Sequence, residues 1–158
     1  MSIQEINLEL LKRLQKPKRR KKGERRKRTP RQKLVKEILK VWSQIVRKRA
    51  AGGLCEYCTM RPVQNGHHII PRGRSYHYGH HALENGCGLC AYCHKWEGPH
   101  SDDLDKVAAF SKWVKTVYLP KKGIEYEALK MKCRSRTKYT VFDLDFILKD
   151  LKKDLQSM

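Results

Sequence analysis

The 158-residue sequence predicts an α+β fold, mostly helical, in which a small stranded centre sits between paired cysteine knuckles and is flanked by N- and C-terminal helices. Three observations predict it. Amphipathic stripes of helical period lie on both sides of residues 55–100. Within that stretch Cys55/Cys58 and Cys90/Cys93 form two Cys-x-x-Cys pairs. Between the pairs, a turn signal followed by a β-branched run, Val63 to Pro71, reads as a strand closed by a proline. An apolar content of 39% supports one modest core and leaves no room for a large catalytic scaffold.

At the N-terminus, Ile3, Ile6, Leu10 and Leu14 recur at helical spacing behind Ser2, so residues 1–15 are expected to form a short helix that Pro17 ends. Residues 16–33 are expected to form a basic arm. From Lys16 to Arg28 the chain has no apolar side chain to bury and strong self-repulsion, so it stays disordered until it meets a polyanion. Its candidate phosphate contacts are Lys18, Arg19, Arg20, Lys21, Lys22, Arg25, Arg26, Lys27 and Arg28.

Order resumes at Thr29-Pro30-Arg31-Gln32, where Thr29 caps a helix, Pro30 suits its first position and Gln32 completes a capping box. Leu34, Ile38, Trp42 and Ile45 share one face, which reads as core, and Gly52-Gly53 stops the helix. Ser101-Asp102-Asp103 starts another helix with Leu104, Val107, Ala108, Ser111, Val114 and Val117 on its face, joined by Phe110 and Trp113. Pro120 and Gly123 end that unit, so a central domain is expected over 34–119 and a helical extension over 120–158. In the extension, Thr140 to Asp143 signals a start, and Leu144, Ile147, Leu148, Leu151 and Leu155 form a one-sided stripe. That stripe packs on the core or on another chain, which permits a homodimer.

Thiolate and imidazole are the side chains zinc prefers, and four of them close a tetrahedron. Two knuckles paired across a loop point to a structural Zn2+ on Cys55, Cys58, Cys90 and Cys93, with no open position for substrate. Cys87 is near enough to Cys90 to substitute, and Cys133 reads as an ordinary semi-buried thiol. His67, His68 and His94 are left over for a second centre. Adjacent side chains on a regular strand point to opposite faces. Both histidines serve one site only where the pleat breaks down, or where one ligates metal and its neighbour reaches the substrate from beside it.

Lys and Arg total 36 against 16 acidic residues, a formal charge of +20, which implies a polyanionic partner, nucleic acid before an acidic membrane surface. Fourteen of those basic residues lie between 12 and 33, against one acidic residue. No apolar run is long enough for a signal peptide or a membrane span, and Glu5 and Glu9 argue against a transit peptide. Cysteines used as metal ligands suit a reducing compartment, so a cytoplasmic location is expected.

The residues Cys55-x-x-Cys58, His67-His68-Ile69, Asn85-Gly86 and Leu89-Cys90-x-x-Cys93-His94 resemble the HNH nucleases, whose catalytic core is a ββα-metal motif, and in particular the small phage and bacterial members braced by a four-cysteine zinc. The resemblance runs from about Trp42 to Trp113. It implies a DNA endonuclease in which His67 and His94 hold a divalent ion, Mg2+ or Mn2+, with Zn2+ or Ni2+ as alternatives. It also implies that His68 is the general base and that Asn85 braces the loop between the strands. A phage-encoded protein acting in a bacterial cytoplasm with phage or host DNA-processing partners would fit the same likeness.

Where related sequences carry a further metal-binding histidine one turn after the position of His94, this chain has Gly98, and His100 stands two residues on as an unmatched third ligand. Arg72 and Arg74, just past the base, are candidate phosphate or transition-state contacts, because a guanidinium fork matches phosphate oxygens. His77, His80 and His81 read as exposed loop histidines. The rival reading is a non-catalytic, zinc-stabilised DNA-binding protein, a packaging or regulatory factor, for which no base at His68 is needed.

Overall fold

The structure is a computed structural model and describes residues 27–75, 77–136 and 138–158. The expected helix over 1–15 and the arm residues Lys18, Arg19, Arg20, Lys21, Lys22, Arg25 and Arg26 lie outside the described residues. Lys27 and Arg28 are exposed. In chain order the main elements are helix α1 (Pro30–Lys48), strand β1 (Asn65–His68), the short helix α2 (His77–His81), strand β2 (Gly86–Leu89), and helices α3 (Leu104–Trp113), α4 (Tyr126–Arg134) and α5 (Val141–Ser157). Widened π-helical turns occupy Cys93–Glu97 and Val114–Tyr118. The fold is therefore mostly helical around one small antiparallel sheet, as the sequence predicts.

Helix α1 starts where its sequence says. Thr29 Oγ1 accepts the Gln32 N–H at 3.3 Å and Gln32 Oε1 accepts the Thr29 N–H at 3.0 Å, so two otherwise unpaired donors are satisfied reciprocally. Ile38, Val41, Trp42, Ile45 and Val46 are buried on its inner face. The helix ends at Lys48, before the glycines expected to stop it; Gly52 and Gly53 instead take positive φ in the turn toward the first knuckle.

Helix α5 opens with a second capping box, between Thr140 and Asp143, and packs along α1. Leu144, Leu148 and Leu151 are buried there among Ile38, Trp42 and Ile45. At roughly 1.5–3 kcal/mol for each leucine taken from water, that packing fastens the C-terminal helix to α1. The stripe that permitted a homodimer is thus largely used within the chain.

The second core holds the knuckles, the sheet and the α3–α4 region, with Ile70, Leu89, Phe110, Val114, Tyr118, Leu119, Leu129 and Cys133 at its centre. Three expectations are corrected here. The buried line of α3 and its π-turn is Phe110, Val114 and Tyr118, whereas Leu104 is 81% exposed and Ala108 is also exposed. Helix α4 was not expected, and it carries Cys133, which is fully buried rather than semi-buried. His77, His80 and His81 are not on an exposed loop; they form α2 and are half-buried. Among the described residues no helix is long and apolar enough to cross a membrane.

Candidate metal centres and cleft

The first knuckle is a tight turn in which the Thr59 N–H reaches back to the Cys55 carbonyl at 2.8 Å. The second lies where β2 runs into the helical turn, with the Cys93 N–H on Cys90 Sγ at 3.3 Å. The Sγ atoms of Cys55, Cys58, Cys90 and Cys93 all lie within 4.8 Å of one another. Tetrahedral zinc thiolates stand about 3.8 Å apart, so the four need only a small contraction to close on one ion. Burial alone would raise the Cys58 thiol, but the backbone N–H groups of Met60 and Arg61 and the thiols of Cys93 and Cys55 bring it down to about 7. The Cys58 thiol is therefore part thiolate at neutral pH, the form that would ligate a metal. Cys87 is not in this cluster. It sits on β2 opposite His67, buried, with its thiol pushed up chiefly by desolvation and next by Glu56.

Glu56, inside the first knuckle, ties that knuckle to the rest of the domain. Its Oε2 accepts from the Gly88 N–H on β2 and from the Tyr118 hydroxyl at 2.9 Å, and its Oε1 pairs with Lys122 Nζ at 2.9 Å. Arg49, just beyond α1, donates to the carbonyls of Leu83 and Gly86.

Strand β1 runs antiparallel to β2 with His67 opposite Cys87 and His68 opposite Gly86. The pleat stays regular, so the two histidines face different ways. His67 is buried toward His94 and His100, its ring centroid 5.4 Å from each, while the His94 and His100 rings are 4.6 Å apart. One ring nitrogen from each of the three lies within 4.8 Å of the others. His100, unmatched in sequence, thus joins the pair. Gly98 permits this return, because a Cβ there would stand 2.6 Å from the Cys93 carbonyl oxygen. Burial first, and then His94, His100 and His68, hold the His67 imidazole down at about 3; burial and His100 lower His94. Neutral imidazole is the form that ligates a metal.

His68 faces the other way. Its ring stacks on Trp42 at 3.7 Å between centroids and 13° between planes, and its Nε2 contacts the His80 carbonyl at 3.1 Å. A carbonyl only accepts, so Nε2 carries the hydrogen and Nδ1 keeps the lone pair. Burial first, opposed by the His80 carbonyl and helped by Arg72 and the His80 ring, holds His68 down at about 4, leaving it unprotonated at neutral pH. Asn85 is fully buried at the head of β2. Its Oδ1 accepts the Ile70 N–H at 2.7 Å and its Nδ2 donates to the carbonyls of Ile70 and Gly79. It pins the end of β1 to α2, the helix whose His80 carbonyl holds His68.

His67, His68, His94, His100 and Arg72 line one open cleft of about 420 Å³. Arg74 is exposed and is not among its lining residues. A larger cleft of about 490 Å³ lies behind the first knuckle, but Lys122 and Tyr118 on its wall are already bonded to Glu56. Chemistry, rather than volume, selects the histidine cleft. Sequence reading left Trp42 as core alone and gave no part to His80 or Glu56, because their contacts join residues far apart in the chain.

A two-stranded sheet and a helical turn gather three imidazoles beside four clustered thiols, two groups that could each hold a metal ion. Residues 55–99 match the family model for HNH endonuclease, so the chain carries an HNH endonuclease domain over that stretch. The match begins at the first knuckle cysteine and stops just before His100; α1 and α3 to α5 lie outside it. No curated protein and no solved structure matches the chain.

Proposed function

We propose that the protein is a metal-dependent DNA endonuclease that hydrolyses phosphodiester bonds at the histidine cleft. The observation that supports this best is the division of labour across β1: His67 turns toward two other imidazoles while its neighbour His68, bonded through Nε2, lines the same cleft with no partner for its basic nitrogen among the described residues. A DNA-binding module has no need of that second arrangement.

His67, His94 and His100 fit a divalent ion by number, by proximity and by their neutral form. Such an ion, when bound, supplies charge stabilisation to the scissile phosphate and the departing 3′ oxygen. With no carboxylate among the three, the donor set suits Zn2+ or Ni2+ best, Mn2+ less, and Mg2+, which takes oxygen ligands, least. His68 Nδ1 takes a proton from water as the water oxygen bonds to phosphorus. The P–O3′ bond breaks, and solvent returns a proton to the 3′ oxygen. The family's chemistry leaves 5′-phosphate and 3′-hydroxyl ends. General-base assistance of this kind contributes roughly 10²–10⁴-fold. Arg72, at the cleft, is placed to hold a phosphate oxygen, and the basic arm, of which Lys27 and Arg28 are described and exposed, tethers the duplex. All six cysteines are free, as zinc binding in a reducing cytoplasm requires.

Supercoiled plasmid incubated with the purified protein and each of Ni2+, Mn2+, Zn2+ and Mg2+ tests the reading. Nicked or linear product is expected, with Mg2+ the weakest of the four. Plasmid retarded on a gel but intact with every ion would replace the nuclease with a zinc-stabilised DNA-binding protein.

A further inference from the structure

Strand β1 ends on His68, which is held from two directions of different kind. The Nε2 contact to the His80 carbonyl, at 3.1 Å, fixes one edge of the ring. One hydrogen bond leaves the ring free to tilt about that edge. The face is fixed by Trp42, whose indole lies nearly parallel to it at 13° and 3.7 Å. Trp42 is itself held: it is 1% exposed, packed in one core cluster with Ile38, Ile45 and Leu144, with its Nε1–H on the Ala82 carbonyl at 2.9 Å. Ala82 directly follows α2, the helix that supplies the His80 carbonyl, so both restraints on His68 refer to one short segment.

The position across the sheet from His68 is Gly86. A Cβ built there would stand 2.5 Å from Val46 Cγ2 and 3.0 Å from Trp42 Cζ2. The missing side chain is the space that admits the indole beneath the strand. Trp42, on α1, lies outside the stretch that matches the family model.

We propose that Trp42 is a positioning residue for His68: its indole is the platform that sets the plane of the imidazole in the cleft, and Gly86 leaves the room for it. This rests on the reading of His68 as general base. A base acts on a water molecule in one direction, and a misplacement of about 1 Å costs on the order of 10²-fold in rate. The platform acts on the chemical step and leaves DNA binding alone, since Trp42 is 1% exposed and is not among the residues that line the cleft.

The test uses full-length protein carrying Trp42→Leu and Trp42→Phe, with cleavage rate at saturating DNA, KM, DNA affinity and zinc content measured together. Trp42→Leu is expected to keep zinc, affinity and KM and to lose about 10²-fold in kcat, while Trp42→Phe, which retains an aromatic face, recovers most of the rate. Trp42→Met, equal in bulk to leucine but unbranched and flexible enough to fill an irregular gap, takes over if the leucine variant fails to fold. The His68 ring-proton shifts are read by NMR in the same proteins, where loss of the indole should remove its ring-current displacement. A folded leucine or methionine variant with wild-type kcat overturns the platform while His68 stands as base. Wild-type protein that cleaves nothing overturns the base and the platform with it. A phenylalanine variant as slow as leucine shows that the ring face is not what matters, which also overturns the proposal.

Discussion

The Asn85 side chain and the Ile70 backbone hold each other twice: the Ile70 N–H donates to Oδ1 at 2.7 Å, and Nδ2 donates to the Ile70 carbonyl at 3.1 Å. The second Nδ2 hydrogen reaches the Gly79 carbonyl at 2.7 Å. Asn85→Ala leaves one backbone donor and two acceptors short of partners in a site with no solvent access, and is expected to cost about 3 kcal/mol. Asn85→Asp should be at least as harmful, because its carboxylate would face two carbonyl oxygens that need a donor. Urea denaturation of the two variants checks both the size and the order.

Glu56 connects the first knuckle to β2, Tyr118 and Lys122, and its side chain is only 13% exposed. Removing it strands the Gly88 N–H and leaves the Lys122 ammonium with the Tyr118 hydroxyl alone. Glu56→Ala should lower stability by about 2 kcal/mol, whereas Lys122→Ala, at the wetter end of the pair, should lower it by less than about 1 kcal/mol. Thermal melts of zinc-loaded protein distinguish the two.

The four clustered thiols should behave as one folding unit, with Cys87 outside it. A structural zinc contributes roughly 10–16 kcal/mol in small domains, far more than the rest of a core this size can replace. Strong chelation or Cys58→Ala should therefore unfold residues 55–99, seen as loss of amide dispersion in NMR. Cys87→Ala should keep its zinc, and release of the ion from that variant would mean the ligand set is wrong.

Deleting residues 12–28 should flatten the salt dependence of DNA affinity, by roughly 0.9 in log–log slope for each phosphate the arm no longer neutralises. The cut stops before Thr29 because Thr29 and Gln32 cap α1, and a longer deletion would weaken the helix on which Trp42 stands. An unchanged slope would mean that the arm does not touch DNA.

Much of the site is legible in the sequence because its signals are local. The Cys-x-x-Cys spacing, the His67-His68 doublet and the Thr29 capping box each declare themselves within a few residues, and each appears where expected. Helix α4 does not, since its cap Glu125 makes no side-chain hydrogen bond and only Leu129 and Cys133 are buried along it. The face of α3 differs from expectation because the apolar stripe in the sequence starts at Leu104, which points to solvent, while the buried line starts at Phe110 and runs into a π-turn. His100 is ambiguous in the sequence because Gly98 and Pro99 break the helical spacing that would place it. The remaining contacts, Trp42 to His68 and His80 to His68, depend on long-range packing that no local pattern encodes.

The reading of His68 as a general base means that it takes a proton and coordinates no metal. It is tested most directly by single-turnover cleavage of plasmid DNA by wild type and His68→Ala, each with Ni2+ or Mn2+ and with DNA affinity and metal content measured alongside. Cleavage is expected to fall by roughly 10²–10⁴-fold in the variant while affinity and bound metal are unchanged. Equal cleavage by the two proteins would rule out His68 as the base, and loss of bound metal from His68→Ala would make that residue a ligand instead.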